Sequence, residues 1–181
     1  LKNLKEISIV AISGSLKLTS ANTNILRAIS KIAPKKLSIH IFDGLDKLPH
    51  FNPELANDIE TVNGFRQQLR ESDGVIFSTP EYAFGVPGVL KNALDWVVSS
   101  GELNKKPVAV ISASPLYSGG DKALASLLLT LTALGANMGA GSSLSIASIK
   151  SKITDAGEIT SDETITELKI ILDGLLKRII L

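Results

Sequence analysis

Three runs of the chain are apolar on consecutive rather than alternate residues. They are Ile7-Ser8-Ile9-Val10-Ala11-Ile12, Gly74-Val75-Ile76-Phe77-Ser78 and Val108-Ala109-Val110-Ile111-Ser112, the last preceded by Pro107. Runs this short and rich in β-branched residues read as strands, and the lack of a polar alternate face means that both faces are covered. Between them lie segments with helical spacing: 24–32, 58–70, 89–99, 121–134 and 163–180, the last with Ile165, Leu168, Leu172, Leu175 and Ile179 on one face. Two weaker strand patterns, 37–42 and 143–149, complete an alternating β/α order. Neighbouring parallel strands need crossover helices, so the order calls for a doubly wound α/β sheet of five parallel strands with helices on both faces.

Composition narrows the partners. The 181 residues carry 19 basic and 18 acidic side chains, a formal charge of +1, and no run of Lys or Arg exceeds two, so neither a nucleic-acid groove nor a membrane-binding patch is expected. There is no cysteine, which excludes disulfides, thiolate catalysis and Cys-ligated metal. The longest apolar stretch, 123–134, includes Ser126, Thr130 and Thr132 and is well short of the roughly 20 residues that span a bilayer. Residues 1–6 lack the pattern of a secretory signal, so a cytoplasmic location and one domain over 1–181 are expected. Five strands fit the flavodoxin-like order 2-1-3-4-5, whose winding reverses between strands one and three; ligands bind beyond the C-terminal strand ends there.

Two loops fall at that point. The first, Ser13-Gly14-Ser15-Leu16-Lys17-Leu18-Thr19-Ser20-Ala21-Asn22, supplies hydroxyls, an amide and a cation just before a helix start, where free backbone N–H groups and the helix dipole favour a phosphate. It is neither a Walker A sequence nor G-x-G-x-x-G, so a phosphate monoester is preferred to a triphosphate or dinucleotide. The alternative is an ordinary polar turn with a Ser or Asn cap. The second loop, Thr79-Pro80-Glu81-Tyr82-Ala83-Phe84-Gly85-Val86-Pro87-Gly88, holds two of the chain's eight aromatics. Such a rigid loop suits a flat heterocycle; a structural loop with a satisfied Tyr is the alternative.

Four motifs in order resemble the NADPH-dependent FMN reductase family, with its chromate/quinone reductases and azoreductase-type flavoproteins. They are Gly14-Ser15-x-Lys17-x-x-Ser20-x-Asn22, Thr79-Pro80-Glu81-Tyr82, the stretch from Pro87-Gly88 through Leu90-Lys91-Asn92 to Asp95-Trp96, and Ser112-Ala113-Ser114-Pro115 with Gly119-Gly120. The resemblance implies that Ser15, Lys17, Ser20, Ala21 and Asn22 form an FMN-phosphate loop. It implies that Pro80, Glu81, Tyr82, Ala83 and Phe84 meet the isoalloxazine and ribityl parts, and that Ser114 belongs to a third flavin-contacting loop. The family commonly has Arg where this chain has Lys17 and Asn where it has Ala83.

Other residues have plainer readings. Lys91 and Asp95 form an i,i+4 pair, while Leu90, Ala93, Leu94 and Val97 form a buried stripe. Trp96 is a core or edge aromatic or a flavin contact, the resemblance adds a subunit interface as a third option, and His40 and His50 are structural or solvated. No Ser-His-Asp or paired-carboxylate arrangement can be assembled, and no catalytic side chain or metal site is expected, because in a flavin reductase the cofactor carries the hydride chemistry. The expected activity is transfer of a hydride from NADPH or NADH to FMN, with electrons passed on to a small-molecule acceptor: a quinone, flavin, azo compound or metal oxyanion. The expected assembly is a homodimer or tetramer. The alternatives are a flavodoxin-like electron carrier and a flavin-binding regulatory module.

Overall fold

A computed structural model describes residues 6–55, 59–154 and 156–181. Residues 1–5, 56–58 and 155 lie outside the described residues, and with them most of the charged N-terminal segment and the first residue expected of the second helix. The strands are β1 (Ile7–Ser13), β2 (Leu37–Phe42), β3 (Gly74–Thr79), β4 (Val108–Ala113) and β5 (Ser143–Ile146). The helices are α1 (Ala21–Ile32), α2 (Glu60–Glu71), α3 (Gly88–Asp95), α4 (Asp121–Ala133) and α5 (Asp162–Ile180). All strands pair in parallel in the order β2-β1-β3-β4-β5, with Ile9 opposite Ile39 and Gly74, and Ser13 opposite Ser78 at the C-terminal edge.

The consecutive apolar runs follow from a core on each face. Ile9 and Ala11 of β1, Ile76 of β3 and Ala109 and Ile111 of β4 pack with Ile25, Leu26 and Ile29 of α1 and Leu168, Leu172 and Leu175 of α5. The intervening residues, Val10, Ile12, Val75, Phe77 and Val110, face α2, α3 and α4 through Phe65, Leu69, Leu90, Leu94, Leu127 and Leu131. Each fully buried Leu, Ile or Phe contributes about 1.5–3 kcal/mol relative to exposure. The edge strand β2 alternates instead, with Ser38 and His40 exposed.

Several boundaries differ from expectation. Helix α1 begins at Ala21 rather than Asn24, because Ser20 takes the extended N-cap conformation (φ −68°, ψ 130°) and the polar Ala21-Asn22-Thr23 already forms the first turn. Helix α3 stops at Asp95 instead of Ser99: the chain tightens to i→i+3 bonds from Val97 to Leu94 and from Val98 to Asp95. The β-branched pair and the Ser-Ser-Gly that follow are weak helix formers. Strand β5 ends at Ile146 rather than Ile149, since Ser148 turns into the left-handed region (φ 52°) and starts the 3-10 turn Ile149–Ser151. On α5, Thr164 and Ile171 are buried, while Ile165 and Ile179 are only half-buried.

Candidate functional site

Loops after β1, β3 and β4 meet at the C-terminal edge of the sheet. Gly14 passes so close to β3 that its N–H reaches the Ser78 carbonyl at 2.8 Å. A Cβ there would stand 3.0 Å from both the Thr79 hydroxyl and Leu90. Ser13 Oγ bonds Thr23 Oγ1 (2.8 Å) and accepts from the Ser15 N–H (3.3 Å), and Ser15 Oγ accepts from the Lys17 N–H (3.3 Å), so the loop is folded by its own hydroxyls.

What remains free is a set of donors. The amides of Ala21, Asn22 and Thr23 form the first turn of α1 and make no hydrogen bond among the described residues. The Ser20 hydroxyl, in the position that normally caps such amides, makes no capping bond, and the first turn carries no acidic residue. Lys17 is exposed and forms no ion pair among the described residues. Unbonded amides, an uncommitted hydroxyl and one cation at the positive end of a helix fit a phosphate monoester.

Asn22 departs from the role expected of its side chain. It is buried, donates Nδ2 to the Ala113 carbonyl (3.2 Å) and accepts from Ser78 Oγ (2.9 Å), tying α1 to the ends of β3 and β4. Only its backbone N–H faces the duty assigned to the loop. Ser114 is partly engaged: its Oγ accepts from the Leu116 N–H (3.1 Å), its N–H donates to Ile146 and its carbonyl accepts from Ile149, which leaves the hydroxyl proton to donate.

Tyr82 and Gly85 exchange two backbone bonds (3.1 and 2.9 Å) around a two-residue turn in which Ala83 (φ 49°) and Phe84 (φ 60°) are both left-handed. Such turns normally use Asn-Gly. An L-residue other than Asn or Gly costs about 1–2 kcal/mol in that region. Ala83→Asn is therefore expected to raise stability by about 0.5–1 kcal/mol, or roughly 1–4 °C for a chain of this size, in a calorimetric scan. The turn holds Tyr82 and Phe84 mostly exposed, facing the same edge as exposed Leu116 and Tyr117 of the loop after β4.

Glu81 has a task that spacing did not show. Its Oε2 accepts from the N–H groups of Lys122 (2.9 Å) and Ala123 (3.0 Å), capping α4 from another loop. The signal was the missing local cap: Gly119 and Gly120 precede α4, both left-handed and without a side chain to offer.

Two half-open clefts adjoin the first loop on its β2 side. One, about 370 Å³, is lined by Ser15, Lys17, Thr23, Arg27, Asp43 and Asp46 among others. The other, about 750 Å³, runs between Leu16, the 45–51 segment and α3. Arg27, Asp43 and Asp46 were missed by sequence reasoning; Arg27 lies one helical turn beyond Thr23, and Asp43 follows β2 directly. The wall of the larger space is pinned by Asn92, which donates to the Pro49 carbonyl (2.9 Å) and accepts from the Phe51 N–H (2.7 Å). Trp96 reinforces it, donating Nε1 to the same Pro49 carbonyl (2.8 Å) and meeting Phe51 edge-on. Trp96 is fully buried and so belongs to the core. Lys91 and Asp95 form the expected pair at 2.6 Å, and His40 and His50 are exposed.

Fold and site together define a flavodoxin-like α/β protein with an uncapped helix start beside an aromatic loop. The family model for NADPH-dependent FMN reductase matches residues 7–150, and the chain belongs to that family. It is 40% identical over 120 residues to a quinone reductase of Pseudomonas putida, covering 62% of this chain and 63% of the relative. It is 38% identical over 121 residues to an NADPH:quinone oxidoreductase of Arabidopsis thaliana, covering 63% of this chain and 61% of the relative. The chain thus spans just under two thirds of the length of these curated relatives. Among solved structures it is similar to FerB, a flavoenzyme NAD(P)H:(acceptor) oxidoreductase from Paracoccus denitrificans, with a TM-score of 0.86, 29% identity and coverage of 96% of this chain and 97% of that one.

Proposed function

We propose that the chain is an NAD(P)H-dependent FMN oxidoreductase that delivers electrons to a small-molecule acceptor, with a quinone as the acceptor class favoured by the relatives' names. The observation that carries this reading is the unbonded first turn of α1, with the free Ser20 hydroxyl, at the same sheet edge as Tyr82 and Phe84. The amides of residues 21–23, Ser20 and Lys17 would hold the phosphate. The 82–85 turn would hold the edge of the ring by backbone groups, and Tyr82, Phe84 and Tyr117 would exclude water from it. FMN bound there supplies the hydride-accepting centre, and the chain positions it and shapes access. Flavin, azo and metal-oxyanion acceptors remain within the same proposal, as does use of either NADPH or NADH in the cytoplasm. No helix among the described residues is long and apolar enough to cross a membrane.

Titration of the purified protein with FMN and with riboflavin, followed by flavin fluorescence, tests the reading. Saturable binding that favours FMN supports it, and equal affinity for both removes the phosphate from the α1 site.

The assembly proposed is a homodimer or a dimer of dimers. The outer face of α4 exposes Ala125, Ser126, Leu129, Thr132 and Ala133 without a charge, which is an apolar surface that a second copy would cover. Light scattering at micromolar concentration is expected to give at least twice the chain mass of 19.2 kDa; a value of one chain mass contradicts the proposal.

A further inference from the structure

An open surface cleft of about 490 Å³ lies between the 139–141 turn that precedes β5 and the 170–178 stretch of α5. It is at the opposite end of the sheet from the phosphate loop: Arg178, on its wall, donates Nη2 to the carbonyl of Val108, the first residue of β4 (3.1 Å). The flavin site uses none of these residues.

The Arg178 guanidinium is left unusually incomplete. Its Nε is buried with no hydrogen-bond partner among the described residues. Its Nη1 stands 3.7 Å from where a Cβ on either Gly139 or Gly174 would be, and because both are glycines it opens on the cleft. Asp173 lines the same space, yet no carboxylate among the described residues comes within ion-pair distance of Arg178. Partial burial lowers the pKa of the group. Lys177 adds a second cation to the lining. The N–H groups of exposed Ala140 and Gly141 make no hydrogen bond among the described residues, and Ser142 directs both its N–H and its hydroxyl to the Gly139 carbonyl.

The C-terminal end of a helix favours cations, which accounts for Lys177 and Arg178 being there. It does not satisfy the spare N–H groups. With Nη2 committed to Val108 and Nε buried, Nη1 is the guanidinium donor left toward the cleft, and a charge-assisted hydrogen bond from it suits an oxygen of an anion. Ile170, 63% exposed on the rim, supplies an apolar lip.

We infer that this cleft is a binding site for a small organic oxyanion, its charged head on Arg178 and Lys177 and its apolar body against Ile170. Phosphate monoesters and carboxylates share that head chemistry.

The test is an amide NMR titration of the isotope-labelled, FMN-loaded protein with inorganic phosphate and, separately, with succinate, at constant ionic strength. Saturable shifts are expected at Gly139, Gly141 and Gly174, and the probe that saturates at lower concentration identifies the head group. Arg178→Gln is expected to weaken binding at least tenfold. Gly174→Leu keeps every charge and introduces a better helix former, so it should stay folded while filling the mouth and removing the shifts. Absence of saturable shifts with both probes, or unchanged shifts in Arg178→Gln, overturns the inference. The outcome is independent of the flavin reading: in protein that takes up no FMN, an anion at α1 moves the amides of residues 21–23 instead.

Discussion

Replacing Ala21 by proline is expected to leave the protein folded and to weaken FMN binding by about tenfold to a hundredfold, with riboflavin affected little. Ala21 is the first residue of α1, the helical position that best tolerates proline, and Ser20 before it already has the extended conformation a pre-proline residue needs. Its N–H makes no hydrogen bond among the described residues, so the substitution removes no backbone bond of the fold there. The only loss is one donor at the helix start. A hydrogen bond to a charged group is worth roughly 1.5–3 kcal/mol, which sets the magnitude. Lys17→Ala is expected to act in the same direction by removing charge while retaining all the amides. Fluorescence titration with both flavins checks this; equal losses for FMN and riboflavin would move the phosphate away from α1.

Trp96→Ala is expected to destabilise the protein by about 3–5 kcal/mol, the usual cost of truncating a fully buried large aromatic. At roughly 2–4 °C per kcal/mol for a chain of this size, the midpoint falls by about 6–20 °C. The same change frees the Pro49 carbonyl from the indole N–H and removes the edge contact with Phe51. Trp96→Phe keeps most of the packing and loses the hydrogen bond, and its expected cost is only about 1–2 kcal/mol. Thermal and urea unfolding monitored by circular dichroism separates the two variants. A loss below 1 kcal/mol for Trp96→Ala would show that the 49–51 segment does not rest on the indole.

The strand order and the two-faced core were legible because they depend on local patterns: consecutive apolar residues in β1, β3 and β4, and helical spacing between them. The polar make-up of the first loop was legible for the same reason, although the helix after it was expected from Asn24 and begins at Ala21. The committed side chains were not. Asn22 looks in sequence like a ligand group, and only the approach of β3 and β4 gives its amide to Ser78 and Ala113. Glu81 and the start of α4 are some 40 residues apart, and their meeting depends on the loops after β3 and β4 lying side by side. Arg27 and Asp46 come to one cleft only through the pairing of β1 with β2. Trp96 stayed open among three readings because spacing does not show what an aromatic packs against; the 49–51 segment, far from it in sequence, supplies its partners.

The central claim is that the site at the C-terminal strand ends carries FMN accessible to a nicotinamide, and one anaerobic measurement addresses it. FMN-loaded protein is mixed with excess NADPH, then in a second experiment with NADH, and the flavin absorbance band is followed by stopped flow. Bleaching within seconds with at least one donor, together with parallel double-reciprocal lines when a quinone is added under turnover, is the expected result, because the two flat substrates would use one open face of the ring in turn. A band that stays oxidised for many minutes with both donors would contradict the oxidoreductase reading and favour an electron carrier on the same fold.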